Sequence, residues 1–154
     1  MFHFPVNLFK FGHLFSGEIF LTGVFIDINE STGEIEIYDM GHSMIYIFRE
    51  KKVISFESHS KNFPLGIQKE IEPVASEFRM ESGDMLISYS DGFPEQSNLQ
   101  NVRFDEPGIL SLAMKYRNSS LKQIKDILYE ELKTWRFGQA QDDDMSLLLI
   151  KYKN

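Results

Sequence analysis

The chain contains no cysteine, which excludes a disulfide framework, a thiol nucleophile, a zinc ribbon and an iron–sulfur cluster. Any bound metal would have to be held by oxygen or imidazole. Positive charge is also scarce, since 16 Lys and Arg against 23 Asp and Glu leave a formal charge of −7. Such a surface repels phosphate backbones and anionic lipid, so neither nucleic acid nor a membrane is an expected partner. The most apolar stretch, Ile19 to Ile28, is interrupted by Thr22, Gly23 and Asp27 and has about half the length of a membrane helix. The N-terminus lacks the basic, then apolar, then small-residue order of a secretory signal, which makes a cytoplasmic location the expectation. Gly-x-x-x-x-Gly-Lys, Gly-x-Gly-x-x-Gly and Gly-x-Ser-x-Gly are all missing, so nucleotide binding and elbow-type hydrolysis lose support.

What is present is an ordinary globular composition, 154 residues with 42% hydrophobic and 25% charged, enough for one core and one domain. Seven of the 14 phenylalanines (Phe2, Phe4, Phe9, Phe11, Phe15, Phe20, Phe25) fall in the first 25 residues. They read as a helix and core strand of this domain, or as a surface that packed on chain now absent.

Glu18 to Asn29 is apolar and β-branched enough for a central strand, and Glu30-Ser31-Thr32-Gly33 supplies a turn into the alternating Glu34-Ile35-Glu36-Ile37-Tyr38. A second hairpin is expected from Met44–Arg49 and Val53–Phe56 around Glu50-Lys51-Lys52, which gives an antiparallel meander. Residues 57–73 hold Pro64, Gly66 and Pro73 and read as a long surface loop. A third hairpin is expected from Val74–Met80 and Met85–Tyr89 across Glu81-Ser82-Gly83-Asp84. Two helices follow, Ile109–Tyr116 and Leu121–Trp135. The second has Leu121, Ile124, Leu128, Leu132 and Trp135 on one face and a capping-box start at Ser120 and Gln123. Met145–Tyr152 reads as a buried closing strand.

The histidines His3, His13, His42 and His59 show neither His-x-His nor His-Glu-x-x-His spacing, so a zinc site has weak backing and His42 reads as a loop residue. The carboxylates are more informative. Asp91 follows an apolar strand and precedes Gly92, a placement that presents charge at a sheet edge, although an Asp-Gly turn is also a common structural device. Asp142-Asp143-Asp144 precedes an apolar strand; it is either a solvated loop or a set of acids neutralised by a ligand. Strand alternation would turn Asp142 and Asp144 one way and Asp143 the other. If Asp91 and Asp143 converge, a hard divalent cation such as Mg²⁺ or Mn²⁺ is their natural partner, and hydrolysis by metal-bound water the natural chemistry.

Taken in order, Phe20-Leu21-Thr22, Thr32-Gly33, Gly41-His42, Pro64-Leu65-Gly66-Ile67, Gly83-Asp84, Tyr89-Ser90-Asp91-Gly92 with Glu95, and Asp143-Asp144-Met145-Ser146 resemble the bacterial SpoIIE-type, metal-dependent protein phosphatases of the PPM superfamily. Serines stand at Ser90 and Ser146 where the family often has threonine. The resemblance implies an α+β fold, an antiparallel β-sandwich flanked by helices in the αββα manner. It implies removal of phosphate from serine or threonine of a regulatory protein in bacterial signalling with the aid of two Mn²⁺ or Mg²⁺ ions. On that likeness Asp91 and Asp143 are metal ligands, Gly92 shapes the ligand turn, Asp144 is a neighbour, and no catalytic side chain beyond the metal ligands is implied.

The family's first ligand-bearing Asp and its Gly-rich Asp-x-Ser-Gly-type element have no counterpart in this chain; Asp27 and Asp39 stand elsewhere. The expectation is therefore that residues 1–154 form a single, N-terminally truncated phosphatase-like domain, weakly active or inactive alone, holding one ion or none. The alternative is a non-catalytic phosphatase-like interaction module. Core exposed by missing strands favours self-association, and a homodimer through the Phe-rich N-terminal segment is expected.

Overall fold

Glu34–Met40 forms a strand because its alternation gives one face to solvent and one to the interior: Glu34 is exposed while Ile35 and Ile37 are buried. In the computed structural model, which describes residues 19–56, 62–68 and 72–153, this is the second strand, β2. It pairs antiparallel with β1 (Gly23–Ile28) on one side and β5 (Ser76–Arg79) on the other. The β1–β2 turn is the expected one. Asn29 Oδ1 accepts the Ser31 and Thr32 N–H groups at 3.1 and 3.2 Å, and Gly33 sits at φ 75°, where a side chain would be strained.

Of the described residues, 19–43, 56, 62–68 and 72–81 form one compact unit around this three-stranded sheet, and 44–55 and 82–153 form a second. In the first unit Gly41, at φ 80°, brings its Cα so close to Pro64 that a Cβ would lie 2.9 Å from the ring. Leu65 is buried and exchanges two 2.8 Å backbone hydrogen bonds with Leu21. The described part of residues 57–73 is therefore partly interior, not a free surface loop, because Leu65 carries an apolar side chain and an available backbone edge.

The second unit holds a four-stranded antiparallel sheet in the order β4-β3-β6-β7, from β3 (Ile45–Arg49), β4 (Lys52–Ser55), β6 (Met85–Tyr89) and β7 (Leu147–Lys151). The β3–β4 hairpin is as expected. The β5–β6 hairpin is not formed: β5 joins β2, while β6 inserts between β3 and β7. All five residues of β6 are buried, so it needs a neighbour on each edge, which a hairpin with half-exposed β5 could not supply. Asp84, buried at the start of β6, is anchored to Arg49 Nε and Nη2 at 3.1 and 2.7 Å. The expected meander is thus split into two sheets.

Two further expectations are corrected. β1, expected to be central, lies at a sheet edge among the described residues, and all six of its residues are half-buried. β7 is likewise an edge strand, with Leu148 45% exposed. Both runs are apolar enough for the interior, but local sequence does not say how many strands flank a run.

Helices α1 (Gly92–Glu95), α2 (Glu106–Lys115) and α3 (Leu121–Arg136) complete the second unit. Asp105 caps α2 by accepting Gly108 N–H at 2.9 Å, and Ser120 with Gln123 forms the expected capping box of α3. Ile124, Leu128 and Leu132 of α3 pack with Ile109 and Ala113 of α2 against Phe48, Ile87 and Tyr89 of the sheet. The class is α+β, with antiparallel sheets and helices.

Candidate functional site

β6 ends at Tyr89, and the chain turns through Ser90 and Asp91 into the single turn of α1. Asp91 stands at the N-cap, exposed, and makes no side-chain capping bond. Opposite it runs the loop entering β7. Ser90 N–H donates to the Ser146 carbonyl at 3.1 Å, Ser146 N–H donates to Ser90 Oγ at 2.9 Å, and the Ser90 hydroxyl donates to the Asp144 carbonyl at 3.2 Å. One hydroxyl thus accepts and donates across the gap. Gly92 is pressed against the same loop: a Cβ there would lie 2.4 Å from the Asp144 carbonyl oxygen. The Gly after Asp91 is needed for this close approach rather than for a positive φ.

A second strap joins the same two segments further along. Gln96, the C-cap of α1, is completely buried. Its Nε2 donates to Asp142 Oδ2 at 3.0 Å and to the Ala140 carbonyl at 3.2 Å, while its Oε1 accepts Asp142 N–H at 3.2 Å. Ser97 N–H also donates to Asp142 Oδ2, at 2.9 Å. Residues 90–97 and 140–146 are therefore tied at both ends, with Asp91 on one side and Asp143 on the other.

The three consecutive acids do different things. Asp142 uses one carboxylate oxygen on the strap. Asp143 is exposed, with one oxygen accepting Asp144 N–H at 2.7 Å. Asp144 enters the clamp through its backbone carbonyl. The expected alternation of the three does not apply, since β7 begins only at Leu147 and residues 142–144 are loop. Asp91 and Asp143 retain exposed carboxylate oxygens, the donor type that Mg²⁺ and Mn²⁺ prefer while keeping several waters. The donor chemistry fits. The number is small, because no group of three or more metal-binding side chains occurs among the described residues.

Sequence reasoning singled out Asp91, Gly92, Asp143 and Asp144 but missed the Gln96–Asp142 strap, for which a lone Gln offers no local signal. His42 is a loop residue as read; its N–H and that of Ser43 donate to the buried Asp39 carboxylate at 2.7 and 3.2 Å. Asp39 is thus occupied by its own turn. His3, His13, His59 and the phenylalanines at 2, 4, 9, 11 and 15 lie outside the described residues.

In the first unit a cavity of about 530 Å³ is lined by Asp27, Glu34, Glu36, Glu77 and Arg79, among others. Asp27, Glu36 and Glu77 are cross-strand partners in one row. Burial and these carboxylates, chiefly Glu36, which accepts the Tyr38 hydroxyl at 2.8 Å, push the Tyr38 phenol up to about 12. Such an anionic lining is ill suited to a phosphorylated side chain.

The family model described as Stage II sporulation protein E (SpoIIE) matches residues 9–153. The chain is 22% identical over 135 residues to the phosphoserine phosphatase RsbU of Bacillus subtilis, covering 88% of this chain and 40% of RsbU. It is 27% identical over 132 residues to Stage II sporulation protein E of the same organism, covering 82% of this chain and 14% of that protein. The chain thus spans less than half the length of these curated relatives. Among solved structures, the RsbU and RsbW domains of a Mycobacterium tuberculosis protein superpose with a TM-score of 0.73 at 18% identity, over 98% of this chain and 42% of that one. The SiaA-PP2C domain of Pseudomonas aeruginosa gives 0.69 at 13% identity, over 79% and 48%. With residues 9–153 inside the match and Ser90-Asp91-Gly92 clamped to the Asp-Asp-Met-Ser loop, this chain belongs to the SpoIIE family of PPM-type phosphatases.

Proposed function

We propose that residues 1–154 form one phosphatase-like domain that takes part in Mn²⁺- or Mg²⁺-dependent hydrolysis of phosphoserine or phosphothreonine on a regulatory protein in the bacterial cytoplasm. The observation that carries this reading is the clamp of Ser90 and Gly92 on Asp144 and Ser146, which draws the Asp91 and Asp143 segments together. It is supported by the name of RsbU as a phosphoserine phosphatase and by a manganese-presoaked structure of the SpoIIE phosphatase domain among the similar folds. Asp91 and Asp143 are the ligands in this reading. Gly92 keeps their segments in contact, and Asp144 contributes its backbone. The chemistry a bound ion supplies in such a site is an activated water and charge neutralisation at the phosphoryl oxygens. No protein nucleophile is then required.

A second reading, a phosphatase-like module that binds a partner without turnover, is favoured by the lack of a three-ligand group among the described residues. Phosphate release from a phosphoserine peptide, with and without Mn²⁺, separates the two. Turnover abolished by both Asp91→Asn and Asp143→Asn supports the enzyme; a chain that binds Mn²⁺ but releases no phosphate supports the module. The proposal extends to a homodimer through the Phe-rich N-terminal segment. Sedimentation at high concentration should then give twice 18.0 kDa, and a clean monomer would overturn it.

A further inference from the structure

Among these features the Gln96–Asp142 strap stands apart, since neither residue is a ligand in the reading above and yet their side chains join the two ligand-bearing segments. We infer that Gln96 and Asp142 are positioning residues that hold the Asp143 loop in register with Asp91, and that Asp142 acts through the strap rather than as a metal ligand. The inference rests on the metal-site reading of Asp91 and Asp143.

Three observations carry it. Gln96 is fully buried and, beside a 3.0 Å bond from Nε2 to the adjacent Ser97 carbonyl, engages the opposite segment with both ends of its amide, Nε2 on Asp142 and the Ala140 carbonyl, Oε1 on Asp142 N–H. Asp142 Oδ2 receives two donors, from Gln96 and from Ser97 N–H, at 3.0 and 2.9 Å. Both donors approach the same oxygen, so an amide oxygen in that place would serve as well. Finally, the bonds fall at the far end of the one-turn helix that Asp91 begins, and at the residue immediately before Asp143. The Ser90 clamp fixes the other end. With one end released, the Asp143 loop would pivot on Ser90 and Ser146, and a cation would have to pay the ordering entropy that the strap otherwise removes.

The test uses Mn²⁺ binding by calorimetry on the whole chain, beside thermal unfolding. Asp142→Ala removes both acceptor bonds and should weaken Mn²⁺ about 10-fold or more, the usual range for residues that orient a metal ligand. Asp142→Asn keeps an acceptor oxygen and should return affinity to within about threefold of wild type, the remainder being the loss of one exposed charge. Asp143→Asn should abolish binding. Loss of binding in Asp142→Asn equal to that in Asp142→Ala would make Asp142 a ligand and overturn the inference, as would unchanged binding in Asp142→Ala. A wild-type chain that binds no Mn²⁺ would overturn the metal-site reading and the inference with it, an outcome distinct from the other two.

A measurement on the wild type guards against a variant that does not fold. If strap and site are coupled, saturating Mg²⁺ should slow hydrogen exchange at the Ser97 and Asp142 amides, by about the same factor by which Asp142→Ala weakens the ion. Exchange there unmoved by Mg²⁺, while the ion binds, would refute the coupling.

Discussion

Gly92→Ala is the sharpest test of how the two carboxylate segments are held. Its Cβ would stand 2.4 Å from the Asp144 carbonyl oxygen and 3.1 Å from the carbonyl carbon, whereas a comfortable carbon–oxygen contact needs about 3.3 Å. The obstacle is backbone, so the segments must part by about 1 Å. The three bonds of the Ser90 clamp, now 2.9 to 3.2 Å long, would then exceed hydrogen-bonding range. At about 1 kcal/mol each they are worth about 3 kcal/mol, and the better helix propensity of Ala offsets up to about 1 kcal/mol. The net loss of about 2–3 kcal/mol should lower the melting temperature by about 5–10 °C in a chain of this size. Gly23→Ala is the control, with no atom of the described residues within 4 Å of its Cβ beyond its own chain neighbours; it should be neutral or stabilising by up to about 1 kcal/mol. A Gly92→Ala midpoint within about 1 °C of wild type would refute the close-approach argument.

Arg49→Ala leaves the buried Asp84 carboxylate without its guanidinium and should cost about 3 kcal/mol in urea unfolding, with little effect expected if the pair were merely superficial. The buried Tyr89 hydroxyl finds no partner of good hydrogen-bond geometry among the described residues, though it interacts with the Tyr46 hydroxyl, so Tyr89→Phe should stay within about 1 kcal/mol of wild-type stability; a larger loss would show the Tyr46 contact to be a full hydrogen bond. Tyr38, with its phenol pushed up to about 12, binds its proton more tightly folded than unfolded. Its contribution to stability is complete below the ordinary value of 10.0 and falls as pH rises toward 12. Ultraviolet titration at alkaline pH should show a late-ionising tyrosine that disappears in Tyr38→Phe.

The parts legible in the sequence are those whose signal is local. The Asn29–Gly33 turn, the Ser120–Gln123 capping box and the apolar face of α3 need only neighbours within a few residues, and all three form as read. Ser90-Asp91-Gly92 and the Asp143 loop stood out because acids beside apolar strands are unusual. What escaped depends on distant partners. Whether Met85–Tyr89 pairs with the strand before it or with β3 and β7 is decided by chain 40 to 60 residues away in the register, Ile45↔Ser88 and Tyr89↔Leu147. The alternation argument for Asp142 to Asp144 failed because the strand starts later than its apolar composition suggests. Gln96, in turn, finds its partner 46 residues away.

That separation has a consequence for how the protein comes into being. The contacts that unite the candidate site join residues 46, 54 and 56 positions apart, so their loops close late and slowly compared with a helix or a tight turn. During synthesis Asp91 emerges with its turn and α1 well before Asp143 exists, and α2 and α3 must be made and packed in between. The nascent chain therefore passes through a stage in which half of the site is exposed without the other half. In the proposed reading, ion loading therefore waits until β7 has docked, and a chain cut before Asp143 would carry only one of the two proposed ligands.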